Sequence, residues 1–183
     1  MTYCAAIRGH YERCWAATVA VCKWSAGPVH ELPEGFAVLR IAPLQTRPMW
    51  TFATCCMSQE TDNERLELFL VSPDDAPSHI ELLTAVAHYH RTGSRLGLGH
   101  SVNFGRPWLR DSACTHGLIS LPYLDGPVLE RLEHPSGVIR FLWLIPVTPE
   151  EVAYKKRHGL DALERRLEQG NFDYLNPSRQ SVV

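Results

Sequence analysis

The residues best suited to metal binding or nucleophilic chemistry lie in the middle of the chain. His88 and His90 fall in a predicted helix, where side chains at i and i+2 point about 200° apart, so they cannot share one ion. His100, Cys114 and His116 follow, but their spacing matches no zinc pattern, and the chain has no Cys-x-x-Cys pair. We therefore expect no metal ion and no cofactor.

Cys114 and His116 present a second possibility, a thiol nucleophile with its base. Residues two apart on a strand share a face, which is the arrangement that this chemistry needs. The surrounding sequence contains no nucleophile elbow and no evident third group to orient the histidine. We expect a protein without catalytic activity, and a small cysteine/histidine hydrolase is the alternative.

The segment from His100 to Trp108 combines aromatic, polar and basic side chains on a glycine- and proline-rich loop. Partner contacts concentrate on such loops, and arginine and tryptophan are enriched in interfaces. We expect Asn103, Arg106 and Trp108 to contact a partner. The sequence leaves a second interpretation open, in which Phe104 and Trp108 simply pack in the core.

Strands and helices must position these residues. Apolar and β-branched runs predict strands over 17–24, 36–41, 50–57, 66–71, 102–104, 118–123 and 138–147, with the third and fourth joined as a hairpin. A capping box at Ser78 and Glu81 predicts a helix that Gly93 ends. A second capping box, at Thr148 and Glu151, begins a helix over 150–158, and further helices are expected over 5–15 and from 160 onward. Strands first and helices last favour an α+β domain.

The composition narrows the class of protein. With 183 residues and a formal charge of −2, the chain is one domain long and lacks the basic footprint of a nucleic-acid-binding protein. The apolar run from Cys14 to Cys22 is too short for a bilayer, which takes about 20 residues, so we expect no membrane span. Six cysteines are too few for a disulfide-stapled secreted scaffold. We therefore expect reduced, mostly buried thiols in a cytoplasmic protein.

From residue 45 onward the chain resembles the bacterial members of the suppressor of fused domain family. The matching segments are 50–58 (WTFATCCMS), 67–70 (ELFL), 81–90 (ELLTAVAHYH), 98–108 (LGHSVNFGRPW), 116–123 (HGLISLPY), 141–146 (FLWLIP), 148–152 (TPEEV), 158–163 (HGLDAL) and 172–174 (FDY). Residues 1–44 match poorly. We therefore expect a divergent N-terminal segment, 1–44, that is part of the same domain, and a suppressor-of-fused-like domain over 45–183.

This resemblance implies a single α+β domain with a mixed, mainly antiparallel sheet, helices packed on it, and no catalytic activity. Animal relatives hold a short peptide of a zinc-finger transcription factor by adding it as a strand, so that main-chain hydrogen bonds give affinity and side-chain pockets give specificity. Similar bacterial domains are associated with polymorphic toxin systems as immunity proteins. We therefore expect a protein partner, either a toxin or a short peptide added as a strand, in an immunity or adaptor role.

The resemblance also marks individual positions. Tyr89 matches a tyrosine of the animal binding cleft, and His100 follows Gly99 where those relatives have an aspartate. Tyr89 and His100 therefore join the three loop residues as candidate partner contacts, although the missing carboxylate implies a different peptide specificity. Cys56 replaces a glycine of the family, which adds volume at a position where a backbone approach is expected.

Overall fold

One mixed β-sheet with helices on both of its faces forms the fold. The computed structural model describes residues 2–170 and 172–183 of the chain. The strands are β1 (Ala20–Cys22), β2 (Ala37–Ile41), β3 (Trp50–Cys55), β4 (Arg65–Ser72), β5 (Ser101–Asn103), β6 (His116–Ser120), β7 (Arg131–Leu132) and β8 (Ile139–Val147). The helices are α1 (Tyr3–Trp15), α2 (Pro77–Thr92), α3 (Pro127–Glu130), α4 (Pro149–His158) and α5 (Leu160–Gln169), with a 3₁₀ turn over Val29–Glu31.

The strands lie along the sheet in the order β1-β2-β3-β4-β8-β6-β5, and β7 pairs with the first residues of β8. In the described part of the chain, β4 and β8 are the parallel pair and the other strand pairs are antiparallel. β3 and β4 form the predicted hairpin, with Trp50 opposite Ser72. The prediction of an α+β fold with a mixed, mainly antiparallel sheet is confirmed, and β1 and β5 are the strands at its two ends.

Two hydrophobic cores lie on opposite faces of the sheet, as the alternating side chains of β8 show. Trp143 and Ile145 belong to the core that the buried side of α1 and α5 covers. Leu142 and Leu144 belong to the second core, which α2 covers. Because both faces of this central strand are buried, its sequence is an almost unbroken apolar run rather than an alternating one.

The two predicted capping boxes have different outcomes. The box at Thr148 is present, since its side chain accepts the Glu151 N–H and the Glu151 carboxylate accepts the Thr148 N–H. The box at Ser78 is wrong, because the N-cap of α2 is Ala76, two residues earlier, and the helix begins with Pro77. Glu81 therefore does not fold back onto the helix end and is available for a contact elsewhere.

The structure corrects the expectation that all six cysteines are reduced. Cys4 and Cys56 form a disulfide, with their Cα atoms 5.4 Å apart. A separation of 52 residues hides this pair in the sequence, and the packing of α1 beside the end of β3 brings the two together. Cys56 takes a left-handed conformation with φ of 64°, a conformation in which the glycine implied by the family resemblance would carry no steric cost. The other four cysteines are free, and Cys55 and Cys114 are buried as expected.

The first part of the chain contributes directly to this architecture. Buried side chains of α1 enter one core, and β1 and β2 extend the sheet beyond β3. The elements that the sequence analysis misses, α3 and β7, have four and two residues, too few to carry a periodic pattern. No helix in the described ranges has both the length and the apolar character needed to cross a membrane.

Candidate partner-binding groove

A groove of about 440 Å³ runs between α2 and the terminal strand β5. Its lining consists of one stripe of α2, the whole of β5 and the turn that follows, namely Glu81, Leu82, Ala85, Val86, Tyr89, Ser101, Val102, Asn103, Phe104, Gly105 and Arg106. The volume falls within the range usual for ligand sites, and the floor is apolar with polar groups at the rim. We call this feature the edge groove.

The register of β5 leaves part of its main chain free. Val102 lies opposite Gly117 of β6, and the Phe104 N–H donates to the Thr115 carbonyl at 2.9 Å. In an antiparallel pair alternate residues face the partner strand, so the N–H and C=O groups of Ser101 and Asn103 point away from β6. In the described chain β5 pairs with no other strand, so these groups form an open edge beside the groove.

Charged and polar side chains form the rim of the edge groove. Arg106 Nη2 donates to Glu81 Oε2 at 2.5 Å and ties the turn after β5 to the first half of α2. Both side chains are about half exposed, so the pair can exchange partners at modest cost. Tyr89 is 43% exposed, and the Asn103 side chain accepts the Gly105 N–H at 2.7 Å, which holds the turn in shape.

The structure brings together three of the five predicted contact residues. Tyr89, Asn103 and Arg106 line the edge groove. His100 is exposed just before β5 but does not line the groove. Trp108 is 3% exposed and donates its indole N–H to Ser112 Oγ at 3.0 Å, so it packs in the core, as the second interpretation of that segment held.

The helical side of the groove was not predicted from the sequence. Glu81 and Ala85 stand eight and four residues before Tyr89, so all three lie on one stripe of α2. The spacing of these residues is present in the sequence, but the predicted capping box gave Glu81 a different role.

Two buried positions constrain the elements that form the groove, Gly117 of β6 and His79 of α2. Gly117 of β6 has no room for a side chain, because an added Cβ would come within 2.5 Å of Leu144 and 2.6 Å of the Phe104 ring. His79 of α2 is fully buried, and neither of its ring nitrogens has a hydrogen-bond partner in the described chain. Burial lowers the pKa of His79 to about 4, so its ring is neutral at neutral pH.

The histidines and cysteines singled out in the sequence lie in environments that do not favour the predicted chemistry. Burial raises the pKa of the Cys114 thiol, which disfavours a thiolate nucleophile. His88 Nε2 lies 2.7 Å from Glu31 Oε2, whereas His90 Nδ1 accepts the Leu96 N–H at 2.9 Å, so the two rings face different surroundings. Across residues 2–170 and 172–183, no group of three or more His, Cys, Asp or Glu side chains could hold a metal ion.

Another cysteine–histidine contact lies on α1. Cys14 Sγ is 3.8 Å from His10 Nε2, but that ring nitrogen is also 2.9 Å from the Leu129 carbonyl oxygen. Burial raises the pKa of Cys14 and lowers the pKa of His10. Both shifts oppose the thiolate–imidazolium pair that a cysteine hydrolase uses.

Comparisons with known proteins point to one family. The sequence model of the suppressor of fused protein (SUFU) family matches residues 33–180. A crystal structure described as a suppressor of fused homolog, from Neisseria gonorrhoeae FA 1090, has a TM-score of 0.87 at 31% identity, over 99% of this chain and 97% of that chain. No curated protein sequence matches this chain.

Two more distant structures share the fold. The crystal structure of the Sufu-Fu complex has a TM-score of 0.72 at 17% identity, over 98% of this chain and 92% of that chain. Drosophila Suppressor of Fused has a TM-score of 0.71 at 15% identity, over 98% of this chain but only 51% of that chain.

Proposed function

Because the chain belongs to the suppressor of fused family, we propose that it is a non-enzymatic protein-binding domain that takes an extended segment of its partner as an added strand on β5. The observation that carries the proposal is the free main-chain edge of Ser101 and Asn103 beside the edge groove. A peptide added there would gain main-chain hydrogen bonds from β5, as in other cases of β-strand addition. A relative of the same fold was crystallised in the Sufu-Fu complex, which supports a protein as the partner.

The lining of the groove suggests which peptide fits. Alternate side chains of an added strand would point toward α2, where Val86 and Phe104 offer an apolar floor. At one end the ion pair of Glu81 and Arg106 can open to receive a polar or charged side chain. Tyr89, which is well exposed, can pack its ring on the peptide and use its hydroxyl for a hydrogen bond. The best occupant therefore alternates apolar and polar residues.

We assign this domain to a bacterial immunity or adaptor role in the cytoplasm, in which the partner is a toxin or another protein and neither nucleic acid nor a membrane is bound. The near-neutral charge of the chain supports a protein partner. The disulfide of Cys4 and Cys56 favours an oxidising compartment over the cytoplasm, because such bonds persist in oxidising surroundings. Thiol trapping after cell fractionation measures both the compartment and the redox state of this pair.

One substitution tests the contribution of the main chain of β5 to binding separately from that of the side chains. Ser101→Pro removes the outward-facing N–H but none of the bonds to β6, a position where an edge strand tolerates proline. Ser101→Ala is the matched control, since it removes the same hydroxyl and keeps the N–H. We expect the partner recovered by native co-purification to bind the proline variant about tenfold more weakly than the alanine variant, since a hydrogen bond and close backbone approach are lost.

The two variants must have the same thermal midpoint within a few degrees for the comparison to hold. Equal affinity of the purified partner for both variants would contradict strand addition on β5. If Tyr89→Ala and Ser101→Ala weaken binding equally, and Ser101→Pro weakens it no further, the groove is a binding site. The added strand would then be refuted.

A further inference from the structure

A second cavity, of about 610 Å³, lies on the face of the sheet opposite the edge groove. Its floor includes Trp143 and Ile145 of β8, whose side chains belong to the core under α1 and α5 rather than the one under α2. α5 forms one wall and the loop after β6 forms another. None of the residues that line the edge groove takes part in it. We call it the aromatic–acidic cavity.

Four aromatic residues line this cavity, Tyr123, Trp143, Phe172 and Tyr174. The rings of Trp143 and Tyr174 meet edge to face, with centroids 5.3 Å apart and planes at 83°. Phe172 lies 6.0 Å from Tyr174 at 54°. Differently oriented aromatic faces around one space are the arrangement that proteins use to surround an organic cation.

Three carboxylates of α5, Asp161, Glu164 and Glu168, belong to the same lining. Glu164 is held in place because Ser120 Oγ donates to one of its oxygens at 2.5 Å and Tyr123 donates to the other at 3.0 Å. Asp161 and Glu168 lie one turn before and after it on α5 and form no ion pair with any described residue. Arg165 is the single basic residue of the lining, so the cavity has an excess of negative charge.

An unused donor lies in the floor of the cavity. Trp143 is 3% exposed, and its indole N–H finds no hydrogen-bond acceptor among the described residues. Buried donors without a partner are uncommon in native proteins and call for an explanation. An oxygen atom of a bound ligand would supply the missing acceptor.

We propose that the aromatic–acidic cavity binds an organic cation, an ammonium group on an apolar stem that also carries an oxygen acceptor, with the aromatic rings and the carboxylates of α5 around it. Two sources share this chemistry, a free alkylammonium compound and a lysine side chain of a protein. The site is independent of the edge groove and does not require the proposed strand addition.

Titration with two matched pairs of probes tests this site. The first pair is choline and its uncharged isostere 3,3-dimethylbutan-1-ol. The second is the peptide N-acetyl-Ala-Lys-Leu-amide and its counterpart with norleucine in place of lysine. The readout is the indole N–H signal of Trp143 in ¹H–¹⁵N spectra, assigned among the five tryptophans by the Trp143→Phe variant.

We expect the charged member of at least one pair to bind at least about fivefold more tightly than its neutral counterpart. The double variant Asp161→Asn/Glu168→Gln should reduce that preference about fivefold. The control Glu34→Gln/Glu60→Gln removes two exposed charges elsewhere and should change nothing.

Each outcome decides between the sources or overturns the site. Preference for choline assigns the cavity to a free organic cation, and preference for the lysine peptide alone assigns it to a protein side chain. Equal binding of charged and neutral probes, or the same loss in both double variants, would refute the proposal. A shift of the Trp143 signal is required in every supporting outcome.

Discussion

The buried ion pair of Glu151 and Arg179 fastens the C-terminal tail to the start of α4. Arg179 donates from Nη1 and Nη2 to the two carboxylate oxygens, at 2.7 Å each, and Nη2 also donates to the Pro146 carbonyl at 3.0 Å. The side chains are 6% and 0% exposed, and the Val182 N–H adds a further bond to Glu151. We predict that Arg179→Met strongly destabilises the protein, because it leaves the carboxylate buried with only backbone donors from Thr148 and Val182.

The magnitude follows from the kind of interaction removed. Breaking a buried pair by deleting one partner costs about 3–5 kcal/mol, since the remaining charge is desolvated without compensation. For a chain of this length about 1 kcal/mol moves the thermal midpoint by roughly 2–4 °C, so a fall of about 10 °C is expected. Adding Glu151→Gln removes the stranded charge, and the double variant should be at least about 2 kcal/mol more stable than Arg179→Met alone.

Urea unfolding followed by tryptophan fluorescence measures these differences. Arg8→Met is the matched control, because the exposed pair of Arg8 and Glu12 should contribute less than about 1 kcal/mol. A loss below about 1 kcal/mol in Arg179→Met, or a double variant no more stable than that single variant, would refute the reasoning. The tail that Arg179 holds also carries Phe172, over whose ring the guanidinium lies at 4.9 Å.

Three further predictions concern other parts of the fold. Reducing the disulfide, or replacing Cys4 and Cys56 by serine, should lower the free energy of unfolding by up to about 4 kcal/mol, because the bond closes a long loop. Denaturant unfolding with and without reductant measures this difference. His79 has a folded-state pKa of about 4 against 6.5 unfolded, so the unfolded state binds the proton first, and stability should fall by up to about 3 kcal/mol as pH drops from 6.5 to 4. His79→Leu should show a smaller fall over the same pH range, and an unchanged slope would be inconsistent with this assignment. Gly117→Ala should cost about 1–3 kcal/mol, as measured by thermal unfolding, because its Cβ has no space beside β8.

The sequence predicts secondary structure well where local chemistry is strong. The hairpin of β3 and β4, the helix end at Gly93 and the capping box at Thr148 all appear, because each depends on residues that are close in the chain. The predicted start of α2 was wrong. Two helix-start signals lie within three residues of each other, and the helix begins at the proline and not after Ser78.

Contacts between distant segments were beyond prediction. Nothing local in the sequence pairs Cys4 with Cys56, or Glu151 with Arg179, since packing of separate elements decides which side chains meet. The burial of Trp108 shows the same limit. An aromatic residue on a glycine-rich loop has the same neighbours in sequence whether its side chain is exposed or buried.

By itself, the sequence determined the fold class, the family resemblance and three residues of the edge groove, because these depend on periodicity, composition and short motifs. Only the tertiary structure decided that β5 ends the sheet with a free edge, that α2 lies beside it, and that an aromatic–acidic cavity opens on the opposite face. The physical reason is that edges and cavities are properties of how elements pack, and no single segment of the chain specifies its neighbours.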